Sequence, residues 1–469
     1  MRRSTGWTMR WARLSRKASV AAGCAAVACL AACSHPSRPP AGQLPPVVLD
    51  TTALRPPAAD TTTPEQLPAI AAPNEQPLGG QGRVVRIALA TSAGKVTISG
   101  TGAWRLFDTG GASTLVRAAG GELWTVESRN GLLRAVNDDG TVTPERPAPF
   151  VARAASRGAV LTVNGARYRG EVWVMPAANG DDVMVVNRLY LEDYLRGVVP
   201  MEIGHRTAAE REAVAAQAIA ARSYAYTHIA SDARPYDMRN TVVDQVYGGA
   251  DAETPLGDTA VLETRGLVLT YHGVVVNAPY HSACGGRTAA ASEIWRSPDE
   301  PYLVSVSDRI PGTDRFYCDI APRFRWERTF TRAALRALLD RYLKEYTTVS
   351  SRGPGAPRSL AVESRTPSGR VRALEIVTDR GHYTVRMDNI RFVLRSSDGE
   401  ILNSTAFTVE NERDANGELS RVIVRGNGYG HGVGMCQWGA IGRARAGQDY
   451  RTILRAYYPG TTVAVVGSA

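Results

Sequence analysis

No stretch near the start of the 469-residue chain reads as a bilayer-spanning helix. Residues 18–32 are apolar but fall short of the roughly 20 residues a span requires. There is no internal repeat and no heptad pattern, so solenoid and coiled-coil architectures are excluded. Charge of one sign is also scarce. Arg2, Arg3, Arg10, Arg13, Arg16 and Lys17 supply more than half of the formal net charge of +10, and the remainder is about +4. Such a weak bias gives no argument for nucleic acid as a partner. Cysteine is sparse: of six, Cys24, Cys29 and Cys33 lie near the N-terminus, leaving Cys284, Cys318 and Cys436. Apolar residues are not scarce, and at 44% they are enough for a sizeable core in two or three domains or one elaborated one.

The basic N-terminus followed by residues 18–32 has the form of an export signal. It closes on Leu30-Ala31-Ala32-Cys33, which resembles the lipobox of bacterial lipoproteins and implies lipidation of Cys33. Residues 1–33 are therefore expected to be a lipoprotein signal peptide and the protein an extracytoplasmic one, with the membrane engaged through the lipid anchor alone. A plain secretory signal is the alternative. Residues 34–82 are rich in Pro, Ala and Thr with almost no aromatics, so they cannot bury enough surface to fold and read as an extended tether.

Residues 83–187 alternate apolar and polar positions in short runs such as KVTISG, ELWTVES and AVLTVNG. Asn-Gly pairs at 130–131 and 164–165 mark hairpin turns. This β-rich part holds no His, no Cys and no convincing acid pair, which makes it scaffold or binding surface. A second, mixed α/β lobe is expected over 188–469, giving an α+β protein built around a central buried helix. That helix opens at Thr207, spaced from Glu210 as a capping box, and runs through AVAAQAIAARSYAYTH to His228. Ala213, Ala216, Ala220 and Ala221 suit close packing. Glu202 precedes it in VVPME, a segment expected to form a tight loop between rigid elements. A hairpin turning at His272-Gly273 then delivers Tyr280, His281, Ser282 and Cys284 into a Gly-Gly turn.

Near the C-terminus, GNGYGHGVGMCQWGA places glycine at every second position. If extended, such a segment has one bare face that a ligand or another backbone can approach. It is not G-x-G-x-x-G and does not open a βαβ unit, so it is a poor match to a dinucleotide site.

Together these motifs resemble the SpoIID/LytB family, which acts on peptidoglycan and includes sporulation lytic transglycosylases and amidase enhancers. The likeness covers roughly residues 84–465 and is carried by LEDYLRGVVPMEI, AAQAIAARSYAY, DQVYGGADAET, YHSACGGRT, PYLVSV, RFRWER, GYGHGVGMCQWGA and AYYPGTTV. It implies cleavage of the β-1,4 bond between N-acetylmuramic acid and N-acetylglucosamine, on glycan strands whose stem peptides an amidase has removed. By the same resemblance Glu202 is the catalytic acid, with Ile203 where the family usually has Met. The rival is a glycan-binding module that stimulates an N-acetylmuramoyl-L-alanine amidase and has no activity of its own.

One carboxylate suffices for the implied chemistry. Ordinary glycosidases need two, but here the muramic C6 hydroxyl is the nucleophile, so one Glu serves as acid and then base. Glu202 must begin protonated, which burial favours and a nearby helix start opposes. The resemblance further implies that Gln217 and Arg222 contact substrate or orient Glu202, and that Tyr280, His281, Ser282, His431, Gln437 and Trp438 line the cleft. Trp438 is either a sugar-stacking platform or a buried core residue. No cofactor is required for the reaction. Two readings of the cysteines stay open: a structural zinc held by His281, Cys284 and Cys318, with Cys436 a candidate fourth ligand, or a Cys284–Cys318 disulfide.

Overall fold

Two β-sheets account for the first hundred or so residues of the computed structural model, which describes residues 82–466 except 109–112, 148, 157, 230–233 and 397. The export signal, Cys33 and the tether lie outside the described residues. The larger sheet has seven strands, ordered Met238–Arg239, Val84–Ala93, Val183–Tyr190, Glu171–Pro176, Phe150–Ala154, Trp104–Asp108 and Ser113–Ala118. The smaller has five: Leu132–Asn137, Trp124–Arg129, Val96–Gly100, Leu161–Val163 and Ala166–Tyr168. Their alternating apolar faces meet, burying Ile87, Ile98, Trp104, Leu106, Phe150, Leu161 and Val174. Both Asn-Gly pairs form the two-residue turns expected of them, with positive φ at Asn130, Gly131, Asn164 and Gly165.

Strand Val183–Tyr190 runs directly into helix α1, Leu191–Ile203, and a single 3-10 turn at Ala208–Glu210 then leads into α2, Arg211–His228. The capping box is present: the Thr207 N–H donates to Glu210 Oε2 at 3.0 Å. α2 is the buried central helix that its alanines suggest. Ala213, Ala216, Ala220 and Ala221 have no exposed surface. α1, α3 (Pro255–Glu263) and strand Leu267–Tyr271 pack around it, as do, after α4 (Ala291–Ile294), α5 (Arg332–Tyr342) and α6 (Asn389–Val393), the C-terminal helices α7 (Gln437–Arg445) and α8 (Tyr450–Tyr457).

A second apolar core was not separable in the sequence from the rest of residues 188–469. Strands Arg325–Thr331, Leu419–Asn427 and Phe407–Arg413 form one small sheet, and Pro357–Arg365, Val371–Thr378 and Gly381–Arg386 another. With α5 and α6 they enclose Leu335, Leu339, Leu374, Ile376, Val385, Val393, Val422 and Val424. The chain leaves the first core and returns to it at a two-residue parallel pairing, Tyr280 with Met435 and His281 with Cys436. No described helix is long and apolar enough to cross a membrane. The architecture is α+β, as expected.

Candidate active site

Glu202 is not on a loop. α1 continues through Pro200 to Ile203, so Glu202 occupies its last turn. Proline is tolerated there because losing one N–H leaves the rest of the turn intact, and α1 ends at Ile203, three residues later. Gly204, at φ 78°, takes a conformation that glycine adopts without strain, and its N–H donates to the Pro200 carbonyl at 3.0 Å. The correction reverses an electrostatic argument. Glu202 sits at the negative end of α1 rather than ahead of the positive end of α2, so the nearby dipole disfavours its charge.

The Glu202 carboxylate accepts a 2.7 Å hydrogen bond from the Val246 N–H. The side chains of Gln437 and Tyr280 also hydrogen-bond to it. Burial raises its pKa from 4.5 to about 7 in spite of these three donors. Glu202 keeps a solvent-facing edge, and Met201 beside it is exposed. Asp244, on the loop that supplies Val246, is turned instead to the Arg239 N–H at 2.9 Å.

Three buried amides and a phenol order these donors. Gln245, fully buried, donates from Nε2 to the Tyr280 hydroxyl oxygen at 3.0 Å and to the Ala221 carbonyl at 3.2 Å. Its Oε1 accepts from the Tyr194 hydroxyl at 3.1 Å. The Tyr280 oxygen is thereby an acceptor toward Gln245, leaving its proton free for Glu202. On the other side Gln437 Nε2 donates to Gln217 Oε1 at 3.3 Å. Gln217 therefore reaches Glu202 through Gln437. Gln245 and Tyr194 were missed by sequence reasoning, although a glutamine between Val243 and Val246 is an uneconomical thing to bury without a partner.

Arg222 does not face the cleft. Its guanidinium, 1% exposed, makes a bidentate pair with Glu192 at 2.8 and 2.7 Å and donates to the Leu267 and Val261 carbonyls. Five residues along an α-helix is a rotation of about 140° at 3.6 residues per turn, so Arg222 cannot share a face with Gln217. Helical periodicity alone separates two residues that one motif had grouped.

The glycine-rich segment is not the extended strand that alternation suggested. Gly428, Gly430, Gly432 and Gly434 all have φ between 71° and 109°, so the chain coils irregularly where an extended strand would have been straight. His431 accepts the Val433 N–H at Nδ1 (3.1 Å), which leaves Nε2 to donate to the Tyr280 carbonyl at 2.9 Å. Burial lowers its pKa to about 4, so it is neutral at pH 7 and braces the strand end that carries Tyr280. His281 points to the opposite face from Tyr280, as neighbours on a strand must. Its Nδ1 meets the Val433 carbonyl at 3.1 Å, and burial holds its pKa well below the usual range. Half-buried Ser282 accepts the Trp438 N–H through its carbonyl at 3.0 Å. Trp438 is itself half-buried, with the Arg206 guanidinium 4.9 Å from its ring centroid.

His281 is also not part of the cysteine group. Cys284, Cys318 and Cys436 are free thiols, buried with Asp308, and the four potential ligand atoms lie within 4.8 Å of one another. The Cys284–Cys318 disulfide, one of the two readings of the cysteines, is not formed, the two sulfurs standing 3.4 Å apart with Asp308 and Cys436 in the same pocket. Asp308, 24 residues from Cys284, carried no sequence signal of its own.

Comparison with known proteins agrees with this architecture. A family model described as "Stage II sporulation protein" (SpoIID) matches residues 179–271, and a domain of unknown function matches 310–434, over the second core. An uncharacterized protein of Brachyspira hyodysenteriae is 31% identical over 383 residues, 81% of this chain and 92% of its own length. Stage II sporulation protein D of Bacillus subtilis is 30% identical, covering 59% of this chain and 75% of the relative. The amidase enhancer of the same organism is 28% identical over 65% of this chain, which spans 45% of that longer protein. The chain belongs to the SpoIID family.

Proposed function

We propose that this protein is an exported peptidoglycan lytic transglycosylase, anchored by lipid at Cys33, with Glu202 as its single acid–base group. The observation that carries the reading is one carboxylate, set among three oriented donors, whose pKa of about 7 leaves it partly protonated at neutral pH. A group poised there can give and take a proton with little penalty in either direction.

In the first step the Glu202 carboxylic acid donates its proton to the glycosidic oxygen, and the bond from that oxygen to the muramic C1 breaks. The N-acetylglucosamine fragment leaves with a new O4 hydroxyl. In the second, the Glu202 carboxylate removes the proton from the muramic C6 hydroxyl as O6 attacks C1. The product has a 1,6-anhydro ring, no water is consumed, and Glu202 is protonated again. Val246, Tyr280 and Gln437 stabilise the carboxylate between the steps, and half-buried Trp438 adjoins Gln437 in the chain. The chemistry requires no cofactor, and peptide-stripped glycan strands are the expected substrate.

The name of the Bacillus subtilis amidase enhancer supports a second reading, a non-catalytic partner of an amidase. One experiment separates the two. The purified chain and its Glu202→Gln variant are incubated with glycan strands lacking stem peptides, and the products are read by mass spectrometry. Anhydro ends that vanish in the variant are expected. Hydrated reducing ends would mean a hydrolase, and bound but uncut strands would favour the amidase partner.

A further inference from the structure

We propose that Cys284, Cys318, Cys436 and Asp308 together bind one zinc ion, as a buried structural site distinct from the Glu202 cleft. The four side chains come from three separate parts of the sequence and converge where no solvent reaches: Cys318, Cys436 and Asp308 have no exposed surface and Cys284 has 1%.

The dimensions fit. Zinc–sulfur bonds of about 2.3 Å in a tetrahedron put sulfurs about 3.8 Å apart. Here Cys284 Sγ is 3.4 Å from Cys318 Sγ and 3.8 Å from Asp308 Oδ2, and all four ligand atoms fall within 4.8 Å. That spacing admits one ion and is too tight for an iron–sulfur cluster. The donor set, three thiols and a carboxylate, is a zinc set by chemistry.

The surroundings are arranged as outer partners of a metal are. Asp308 Oδ1 accepts from the Tyr457 hydroxyl at 2.7 Å and from Arg443 at 3.4 Å, while Oδ2 accepts the Cys318 N–H at 3.0 Å. These contacts fix the carboxylate's orientation. Cys436 Sγ accepts two backbone N–H groups, from Cys284 at 3.1 Å and Gly439 at 3.3 Å. Two amides aimed at one sulfur suit a thiolate far better than a neutral thiol. On binding, the three thiols release their protons to solvent, and Arg443 offsets part of the resulting negative charge.

The site lies under two supports of the cleft. Cys436 directly precedes Gln437, and Cys284 follows Tyr280 by four residues, so the ion would pin both strand ends that furnish donors to Glu202.

The test is elemental analysis of the full chain purified without chelator, with wild type, Glu202→Gln and Cys318→Ser compared. About one zinc per chain is expected in wild type and in Glu202→Gln, whatever either does to glycan. Cys318→Ser should retain at least tenfold less after dialysis. The cobalt-loaded wild-type protein should show thiolate-to-cobalt charge-transfer absorption that Cys318→Ser lacks. Because the wild-type zinc content and cobalt spectrum need no variant, a misfolded Cys318→Ser would not rescue the idea. Metal-free wild-type protein with all three thiols reactive on unfolding would overturn it. So would a proteolytic fragment joining Cys284 to Cys318, or unchanged zinc in Cys318→Ser.

Discussion

Replacing Glu202 by Gln should stabilise the protein at alkaline pH while abolishing its activity. The carboxylate's pKa rises from 4.5 to about 7 on folding. A folded pKa above the unfolded one means that the native state binds the proton more tightly. The favourable contribution is complete below about pH 4.5 and is lost as pH rises through about 7. At about 1.36 kcal/mol per pKa unit the loss is bounded at roughly 3 kcal/mol. Gln is neutral throughout and does not incur it. Because Glu202 keeps a solvent edge, and because the Gln amide must turn to spare Tyr280 and Gln437, a gain of about 1–2 kcal/mol is expected near pH 8.5 and almost none near pH 5. Denaturant unfolding of both proteins at the two pH values measures the difference. A stability gap that does not change with pH, or a variant less stable at pH 8.5 than wild type, would refute the reasoning. On the proposed reading, glycan cleavage by the wild type should fall about tenfold per pH unit above pH 7, as the acid form disappears.

Arg222→Met should cost about 3–5 kcal/mol, since it strands Glu192 and two carbonyls, yet leave KM unchanged in whatever folds; a raised KM at unchanged stability would restore a substrate role. Gln245→Leu removes the partner of Tyr194 and the acceptor-side lock on Tyr280, and should destabilise by about 1–3 kcal/mol. With Tyr280 no longer held as a donor, the alkaline limb of the activity profile should move to higher pH; a limb that stays in place would mean Gln245 only packs. Gly434→Ala forces alanine to φ 71° and drives its Cβ into the Pro279 carbonyl, so soluble expression should collapse, and near-wild-type thermal stability would contradict the described path of the chain.

The sequence carried the outline of the fold because its signals are local. Alternation and Asn-Gly turns placed the sheets, and the alanine-rich run placed the body and the His228 end of α2, although the Thr207–Glu210 box caps a 3-10 turn and α2 itself begins at Arg211. The site was legible only in part. Glu202, Tyr280 and Gln437 could be named, but the Pro-containing VVPME segment reads as a tight loop, which hides the fact that α1 continues to Ile203. Arg222 looked like a site residue because motifs run along the chain, whereas burial runs around the helix. The glycine alternation suggested a strand, since spacing does not report the sign of φ. Gln245 meets Tyr194 across 51 residues and Asp308 meets Tyr457 across 149, beyond the reach of any window.

The two-residue pairing of Tyr280–His281 with Met435–Cys436 has a temporal meaning as well. A chain synthesised from its N-terminus presents Glu202, Val246 and Tyr280 more than 150 residues before Gln437 exists. The whole second core must be made before the last donor arrives. Any product cut short ahead of residue 435 lacks both that pairing and Gln437, so the set of donors around Glu202 is incomplete. Completion of the polypeptide is what completes the donor set.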